Sequence, residues 1–168
     1  RVYEIELRDA ERSRMVAKFY RPHRWTEPQI REEHAFLRAL SAADVPVCDV
    51  VDLPNGDTLA KAGHIWFALF ALRRGRAPDE VTAPLAHRMG SLSARIHNVG
   101  ATLPIAHRRT ISADFLDDCL DELVDGELIP PHLRSRYEDA GREISATLDE
   151  RLVGVDLQPI HGDMHAGN

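Results

Sequence analysis

The C-terminal end of the chain carries the residues whose types and spacing most clearly suit a chemical reaction. Residues 161–168 read H-G-D-M-H-A-G-N, so Asp163 and Asn168 stand five positions apart in the pattern H-x-D-x-x-x-x-N. An aspartate at that place can accept the proton of an acceptor hydroxyl, and the asparagine oxygen can bind Mg²⁺ on nucleotide phosphates. Apolar residues at 153–157 and 160 precede the motif, which predicts a loop that leaves a short buried strand. The pattern indicates phosphoryl transfer.

Phosphoryl transfer also needs a cation that contacts the phosphates, and Lys18 is the candidate. Only Lys18 and Lys61 are lysines, and arginine supplies the other basic residues. A lysine inside an apolar strand therefore suggests a need for a compact ammonium rather than a forked guanidinium. The strand over 15–20 is predicted to pair with an alternating strand at 3–7 in an antiparallel hairpin. An exposed strand-edge lysine is the alternative.

The helix that follows this hairpin supplies a partner for Lys18. Thr26, Pro28 and Gln29 form a helix-start signal, with a capping box and a proline in the first turn. Glu33 shares one helical stripe with the apolar residues at 30, 37 and 40, whereas Glu32 points elsewhere. A carboxylate on a packing face needs a partner. We therefore expect Glu33 to pair with Lys18, with a surface residue at the edge of the stripe as the alternative. We expect His34 on the surface.

The remaining elements predict an α+β chain. Strands are expected at 45–51 and, centrally in the sheet, at 64–70. Helices are expected from Thr82 to Gly100, from Ser112 to about Val124, and from the proline pair at 130–131. The packing face of the last helix is predicted from its apolar residues, namely Leu133, Tyr137, Ala140, Ile144 and Leu148. The predicted domains are an N-terminal lobe over residues 1–72 and a partial helical C-terminal lobe over residues 73–168.

Composition excludes several classes of protein. The 168 residues have 43% hydrophobic and 29% charged residues, which is typical of a globular domain. The net charge of −6 argues against nucleic acid as a partner. No apolar run approaches the roughly 20 residues that span a bilayer. Cys48 and Cys119 form no C-x-x-C motif, which favours a reduced, cytoplasmic protein.

The motifs together resemble a known family. The motif V-A-K-F-Y-R-P at 16–22, Arg24-Trp25, residues 29–34, V-P-V at 45–47 and the terminal motif are similar to the aminoglycoside-phosphotransferase-like branch of the protein-kinase-like superfamily. Within that branch they most resemble the bacterial stress-response serine/threonine kinases. The resemblance implies a bilobal protein-kinase-like fold, with a small antiparallel sheet and one helix in the N-terminal lobe and a mostly helical C-terminal lobe, both truncated.

The resemblance also implies roles for single residues. Asp163 would be the catalytic base and Asn168 a magnesium ligand, while Lys18 and Glu33 would anchor the phosphates of ATP. Adenine is expected along the backbone after Phe67, close to Leu69 and Ala71. The implied partner is a protein serine or threonine, or a small-molecule hydroxyl, acted on by a cytoplasmic monomer. Because the chain starts in a predicted strand and stops inside its clearest motif, we expect a fragment that is inactive by itself.

Three other functions are compatible with the residues. His161, Asp163 and His165 also fit H-x-D-x-H, which would suit a metal-dependent hydrolase. A small-molecule kinase would use the same motif on an aminoglycoside, an amino alcohol or a sugar, and the acidic run over 114–122 would then favour a cationic acceptor. A solvated helix face is the simpler explanation of that run. A non-catalytic kinase-like module is the third possibility, although competent residues occupy the identifiable catalytic positions.

Overall fold

The computed structural model describes residues 1–7, 14–75 and 78–164. Its eight described elements follow the order ββαββααα along the chain. They are β1 (Val2–Glu6), β2 (Arg14–Phe19), α1 (Glu27–Ala42), β3 (Ala60–Ala62), β4 (Ile65–Ala71), α2 (Ala83–Gly100), α3 (Ala113–Asp125) and α4 (Arg134–Leu152). The predicted α+β class, with a small antiparallel sheet and one helix followed by a mostly helical part, is confirmed.

The four described strands form one antiparallel sheet in the order β1-β2-β4-β3. Lys18 on β2 lies opposite Val2 on β1 and opposite Ala68 on β4. Because β2 is paired on both sides, its pleat fixes the face of the sheet to which Lys18 points. β4 is internal, as the apolar run at 64–70 predicted, whereas the three-residue strand β3 was not anticipated.

Helix α1 begins where the sequence predicted and packs against two hydrophobic clusters. The backbone N–H of Thr26 donates to Oε1 of Gln29 at 2.9 Å, and Pro28 lies in the first turn. Near its start, fully buried Ile30 packs with the sheet residues of the first cluster. Near its end, Leu40 packs with Val45 and with Ile96 of α2. The sheet and α2 therefore hold α1 along its length.

Two predicted strands are corrected by the structure. The predicted strand over 45–51 is reduced to a single bridge between Val50 and Phe70, and residues 45–49 contain no strand. Pro46 has no N–H for a ladder, which limits the segment to a short contact with β4. The predicted buried strand over 153–157 is also wrong. Those residues have no regular structure and pair with no described strand, and Val153 is 80% exposed.

The packing face of α4 differs from the predicted one. Tyr137 and Ile144 are exposed, whereas Ser145 is buried and donates from its Oγ to the carbonyl of Ala113 on α3 at 3.2 Å. A Cβ on Gly141 would lie 2.8 Å from Cδ2 of Leu120, so α3 and α4 approach each other where α4 lacks a side chain. The face of α4 that packs against α3 is therefore set by small residues that allow close approach, and not by the apolar stripe.

The chain forms two compact units. The first unit contains Arg1–His107 and the C-terminal residues from Gln158, and the second contains Arg108–Leu157. Helix α2 therefore packs within the same unit as the sheet. The predicted lobe boundary after residue 72 stays a prediction, because compactness does not define a catalytic lobe. Among the described helices, none is long and apolar enough to cross a membrane.

Candidate active site

An ion pair between Lys18 and Glu33 is the centre of the candidate site. Nζ of Lys18 lies 2.6 Å from Oε1 of Glu33, which joins β2 to α1 across fifteen residues of sequence. The two side chains are 36% and 23% exposed. Both charges are therefore partly shielded from water, yet the ammonium remains accessible to a ligand. The predicted pairing of Glu33 with Lys18 is confirmed, whereas the roles of both residues toward ATP stay predictions.

Tyr20 contacts both members of this pair. Its hydroxyl donates to Oε1 of Glu33 at 3.2 Å, and Nζ of Lys18 lies 4.8 Å from the centre of its ring. Tyr20 is buried, and it belongs to the hydrophobic cluster that also contains Ile30 and Phe70. One buried aromatic side chain therefore supports the carboxylate through its hydroxyl and the ammonium through its ring face.

His34 is buried, and the prediction that it lies on the surface is wrong. It is 2% exposed, with Nε2 at 3.0 Å from the hydroxyl of Tyr20 and Nδ1 at 2.8 Å from Oγ1 of Thr58. Burial lowers the pKa of His34 to about 4, and the charge of Lys18 acts in the same direction while Glu33 opposes it. The imidazole is therefore neutral near pH 7. Its place four residues after Ile30 was the signal that could have revealed this.

A second set of contacts holds the turn that carries Thr58. The Arg31 guanidinium donates from both terminal nitrogens to the two carboxylate oxygens of Asp57, at 2.8 and 2.9 Å. Oδ1 of Asp57 also accepts from the backbone N–H groups of Thr58 and Leu59. Hydrogen bonding from Arg31 holds the pKa of Asp57 well below its usual range. A bidentate pair therefore connects α1 to the segment that supplies the Thr58 hydroxyl.

The two residues predicted to lie near adenine are both on β4. The carbonyl of Leu69 accepts from the backbone N–H of Val51, and the N–H of Ala71 donates to the carbonyl of Asp49, each at 2.8 Å. Both backbone groups thus connect β4 to the segment that follows Val45. The predicted role of Leu69 and Ala71 in binding adenine stays a prediction.

Asp163 lies on the polar segment 161–164, which belongs to the first compact unit. The backbone N–H of Asp163 donates to Nδ1 of His161 at 3.3 Å, and Oγ of Ser93 on α2 lies 2.8 Å from the sulfur of Met164. A Cβ on Gly100 would lie 3.1 Å from the carbonyl oxygen of Pro159, so the end of α2 closely contacts the start of this segment. Helix α2 therefore positions the segment that carries Asp163.

Two of the predicted metal ligands cannot be placed. Asn168, the predicted magnesium ligand, and His165, which a metal-dependent hydrolase would need, lie outside the described residues. Within the residues that the structure does describe, no three His, Cys, Asp or Glu side chains gather into a possible metal site. Both roles stay predictions.

The arrangement at β2 and α1 is suited to binding a polyanion. A phosphate group that contacts Nζ of Lys18 would gain a charge-assisted hydrogen bond in a partly shielded place, where such bonds are strong. Glu33 and Tyr20 fix the position of the ammonium. The candidate catalytic base, Asp163, lies on the separate segment beside α2.

Comparison with known proteins agrees with this chemistry. The family model "Phosphotransferase enzyme family" matches residues 1–168. The chain is 35% identical over 170 residues to the stress response kinase A of Shigella flexneri and of Escherichia coli strain K12. It is 33% identical over 171 residues to a protein of Salmonella typhimurium named serine/threonine protein kinase RdoA. Each alignment covers the whole chain and 51% of the relative, so the chain spans about half the length of these relatives.

A solved structure supports the fold. An amicoumacin kinase in complex with AMP-PNP, Ca²⁺ and Ami superposes on 99% of this chain with a TM-score of 0.70, at 18% sequence identity and over 51% of that protein. At this identity the likeness concerns the fold alone. The predicted kinase-like fold is confirmed.

Proposed function

The chain belongs to the phosphotransferase enzyme family, and from this premise we propose that it is part of an ATP-dependent serine/threonine protein kinase of the bacterial stress response. The observation that carries the proposal is the 2.6 Å ion pair between Lys18 on β2 and Glu33 on α1. The name of the Salmonella typhimurium relative, serine/threonine protein kinase RdoA, supports a protein hydroxyl as the acceptor. Since those relatives are about twice as long, we assign the activity to a chain of their length and expect residues 1–168 alone to be inactive.

The phosphates of ATP are the ligands that fit Lys18. Its compact ammonium contacts the α- and β-phosphates, while Glu33 prevents the side chain from turning into solvent. Adenine would lie near Leu69 and Ala71 of β4, and Asn168 would supply an oxygen ligand to Mg²⁺. When bound there, the metal would neutralise charge on the phosphates. These assignments follow the motif positions of the family.

Asp163 is the proposed base for the transfer itself. The acceptor hydroxyl oxygen forms a bond to the γ-phosphorus while the bond from that phosphorus to the bridging oxygen of ADP breaks. The proton of the hydroxyl passes to the Asp163 carboxylate. Because the reaction requires mainly positioned charge, the protein contributes orientation and electrostatic stabilisation rather than a covalent intermediate.

The cellular compartment and the class of partner are proposed from the cysteines and the net charge. Cys48 and Cys119 are both free, which supports a reducing compartment and hence the cytoplasm. The net charge of −6 supports a partner other than nucleic acid. We expect a monomer that acts away from membranes on a protein substrate.

A phosphate-transfer assay on the full-length protein tests the proposal. The protein is incubated with γ-labelled ATP and Mg²⁺, alone, with a generic basic protein, and with a panel of small-molecule alcohols and aminoglycosides. Asp163→Asn is compared with Asp156→Asn, which changes an exposed aspartate seven residues earlier. A chelator is added in a parallel reaction, followed by Mg²⁺ in excess.

The expected result is label on protein serine or threonine that requires Mg²⁺, disappears in Asp163→Asn and persists in Asp156→Asn. Label confined to a small molecule would overturn the protein acceptor and favour a small-molecule kinase. Metal-dependent ATP hydrolysis without transfer to any acceptor would favour the hydrolase alternative. If both variants match a wild type that transfers nothing, the catalytic proposal fails and a binding module becomes the better hypothesis.

A further inference from the structure

Behind the Lys18–Glu33 ion pair lies a continuous row of buried polar side chains. Thr58, His34 and Tyr20 are 8%, 2% and 4% exposed, and each contacts the next at 2.8 or 3.0 Å. The last of them, Tyr20, reaches Oε1 of Glu33 at 3.2 Å. The ring of Phe70 packs edge-on against His34 with ring centres 5.9 Å apart, so the row runs through apolar surroundings.

Hydrogen-bond chemistry gives this row a direction. The Glu33 carboxylate only accepts, so the single proton of the Tyr20 hydroxyl is donated to Oε1. Tyr20 must then accept from His34, which places the imidazole proton on Nε2 and leaves Nδ1 to accept from the hydroxyl of Thr58. Every donor has an acceptor in this arrangement, and it requires a neutral imidazole. This tautomer is assigned from the network of contacts.

Stability alone does not account for the row. Three polar side chains in a core add little net stability compared with apolar residues of similar volume, because each loses hydration that its hydrogen bonds must replace. The row is nevertheless complete, and it ends at the functional carboxylate. Within the described residues, no buried side-chain nitrogen or oxygen is left without a hydrogen bond. The arrangement suits fixing a position more than adding stability.

We propose that Tyr20 and His34 are positioning residues that keep Glu33 oriented toward Lys18, and that Thr58 orients His34. This inference rests on the proposed function. When Lys18 contacts nucleotide phosphates, its bond to Glu33 weakens, and the bond from Tyr20 then holds the carboxylate in place. The ring of Tyr20 also supports the ammonium, at 4.8 Å from Nζ. The row thereby keeps Glu33 in place whether or not nucleotide is bound.

A double-mutant cycle on the full-length protein tests the proposal. Tyr20→Phe removes the hydroxyl and keeps the ring, and Tyr137→Phe is the matched control on an exposed tyrosine. The ATP Kd, KM and kcat are measured for Tyr20→Phe, Glu33→Gln and the double variant. Loss of one hydrogen bond to a charged group should raise the ATP Kd and KM by about tenfold, or roughly 1.4 kcal/mol, with a smaller change in kcat. When Glu33 is already replaced by glutamine, adding Tyr20→Phe should change the ATP Kd and KM by less than about twofold.

His34 is tested by a pair of substitutions. His34→Gln retains a donor that can reach the Tyr20 hydroxyl and should stay within about threefold of the wild-type KM. His34→Leu removes this donor and should raise the KM by about tenfold, as Tyr20→Phe does. Additive effects of Tyr20→Phe and Glu33→Gln, or a glutamine no better than leucine at position 34, would show that the row is only structural and would overturn the proposal.

Lysine NMR separates this proposal from the proposed function. Lys18 and Lys61 are the two lysines of this chain, and Lys61 lies away from the row, 4.1 Å from the ring centre of Trp66. In the lysine-labelled full-length protein, the two signals are assigned from Lys18→Arg and Lys61→Arg. The Lys18 side-chain signal should shift in Tyr20→Phe and the Lys61 signal should not. If wild type neither binds ATP nor transfers phosphate, the proposed function fails while these signals still decide the positioning role. An unshifted Lys18 signal would overturn that role.

Discussion

The Nζ atom of Lys18 and the Oε1 atom of Glu33 lie 2.6 Å apart, although the two residues are fifteen positions apart in sequence. The contact joins the interior strand β2 to the helix α1, so it depends on how those two elements pack. Ile30 and Leu40 pack α1 against the sheet and against α2, and this packing turns Glu33 toward β2. A hydrophobic helix face therefore determines the geometry of a charged pair.

Substitution of either member should impair phosphate transfer in the full-length protein. Lys18→Met removes a cation that stabilises phosphate charge, and we expect kcat/KM to fall about 10²- to 10³-fold. Glu33→Gln retains the shape but loses the charge and should raise the ATP KM by about tenfold. Steady-state kinetics measures both. Lys61→Met is the matched control, and a comparable loss in that variant would show that the effect is not specific to Lys18.

The buried imidazole of His34 should make folding stability depend on pH. Its pKa is about 4 in the folded chain and 6.5 in an unfolded reference, so the unfolded chain binds more protons between these values. The free energy of unfolding should therefore be unaffected by His34 above pH 6.5 and decrease as the pH falls to 4. The separation of the two pKa values corresponds to a loss of roughly 3 kcal/mol.

Urea unfolding between pH 4 and pH 7 measures this decrease. His34→Gln cannot titrate in that window, so its stability should change less with pH than that of wild type. His64→Gln removes an exposed imidazole from the turn before β4 and should follow the wild-type profile. A His34→Gln profile that is parallel to wild type would contradict the assignment.

The glycines of two helices should respond in opposite directions to the same substitution. A Cβ at Gly141 would lie 2.8 and 3.1 Å from the Cδ atoms of buried Leu120, whereas nothing lies within 4 Å of a Cβ at Gly90 on α2. Gly141→Ala should destabilise α3 and α4 by about 1–2 kcal/mol through overpacking. Gly90→Ala should stabilise by about 0.5–1 kcal/mol through helix propensity. Thermal unfolding measures the change in stability of both variants. A stabilised Gly141→Ala variant would contradict the tight contact between Gly141 and Leu120.

Local patterns in the sequence were sufficient for the starts of α1, α2 and α3 and for the ion pair, whereas α4 begins at Arg134, after the proline pair at which it was predicted to start. The start of α1 depends on Thr26 and its immediate neighbours, and the position of Glu33 on the packing face follows from helical geometry alone. The prediction of Lys18 on an apolar strand likewise required only the short apolar run over residues 15–20 and the alternating strand at 3–7. These features depend on short-range chemistry, which the sequence displays directly.

Features that depend on distant partners were missed. His34 was expected on the surface because its burial requires Tyr20 and Thr58, which lie 14 and 24 residues away. The face of α4 was assigned from apolar residues, although the actual contact follows from the absence of a side chain at Gly141. A helical pattern identifies the residues that prefer burial, but the partner element determines which of them are buried.

A polar clamp on α1 yields the last prediction. The Glu32 carboxylate accepts from the backbone N–H groups of Ala106, at 2.6 Å, and of His107, at 2.9 Å. Gln29, one turn earlier, donates from Nε2 to the carbonyl of His107 at 3.0 Å. These bonds hold residues 106 and 107 against the half of α1 that carries Glu33. The sequence predicted only that Glu32 points away from the packing face of α1, and it did not identify these partners.

Glu32→Ala should leave two backbone N–H groups without this acceptor and lower the free energy of unfolding by about 1–2 kcal/mol. Glu32→Gln keeps one acceptor oxygen, so its free energy of unfolding should lie between those of Glu32→Ala and wild type. Glu27→Ala, on the same helix and paired with Arg31 at an exposed position, should cost below about 0.5 kcal/mol. Hydrogen exchange at the Ala106 and His107 amides measures the clamp directly. Faster exchange in Glu32→Ala alone is expected, and unchanged protection would show that the loop is held by other contacts.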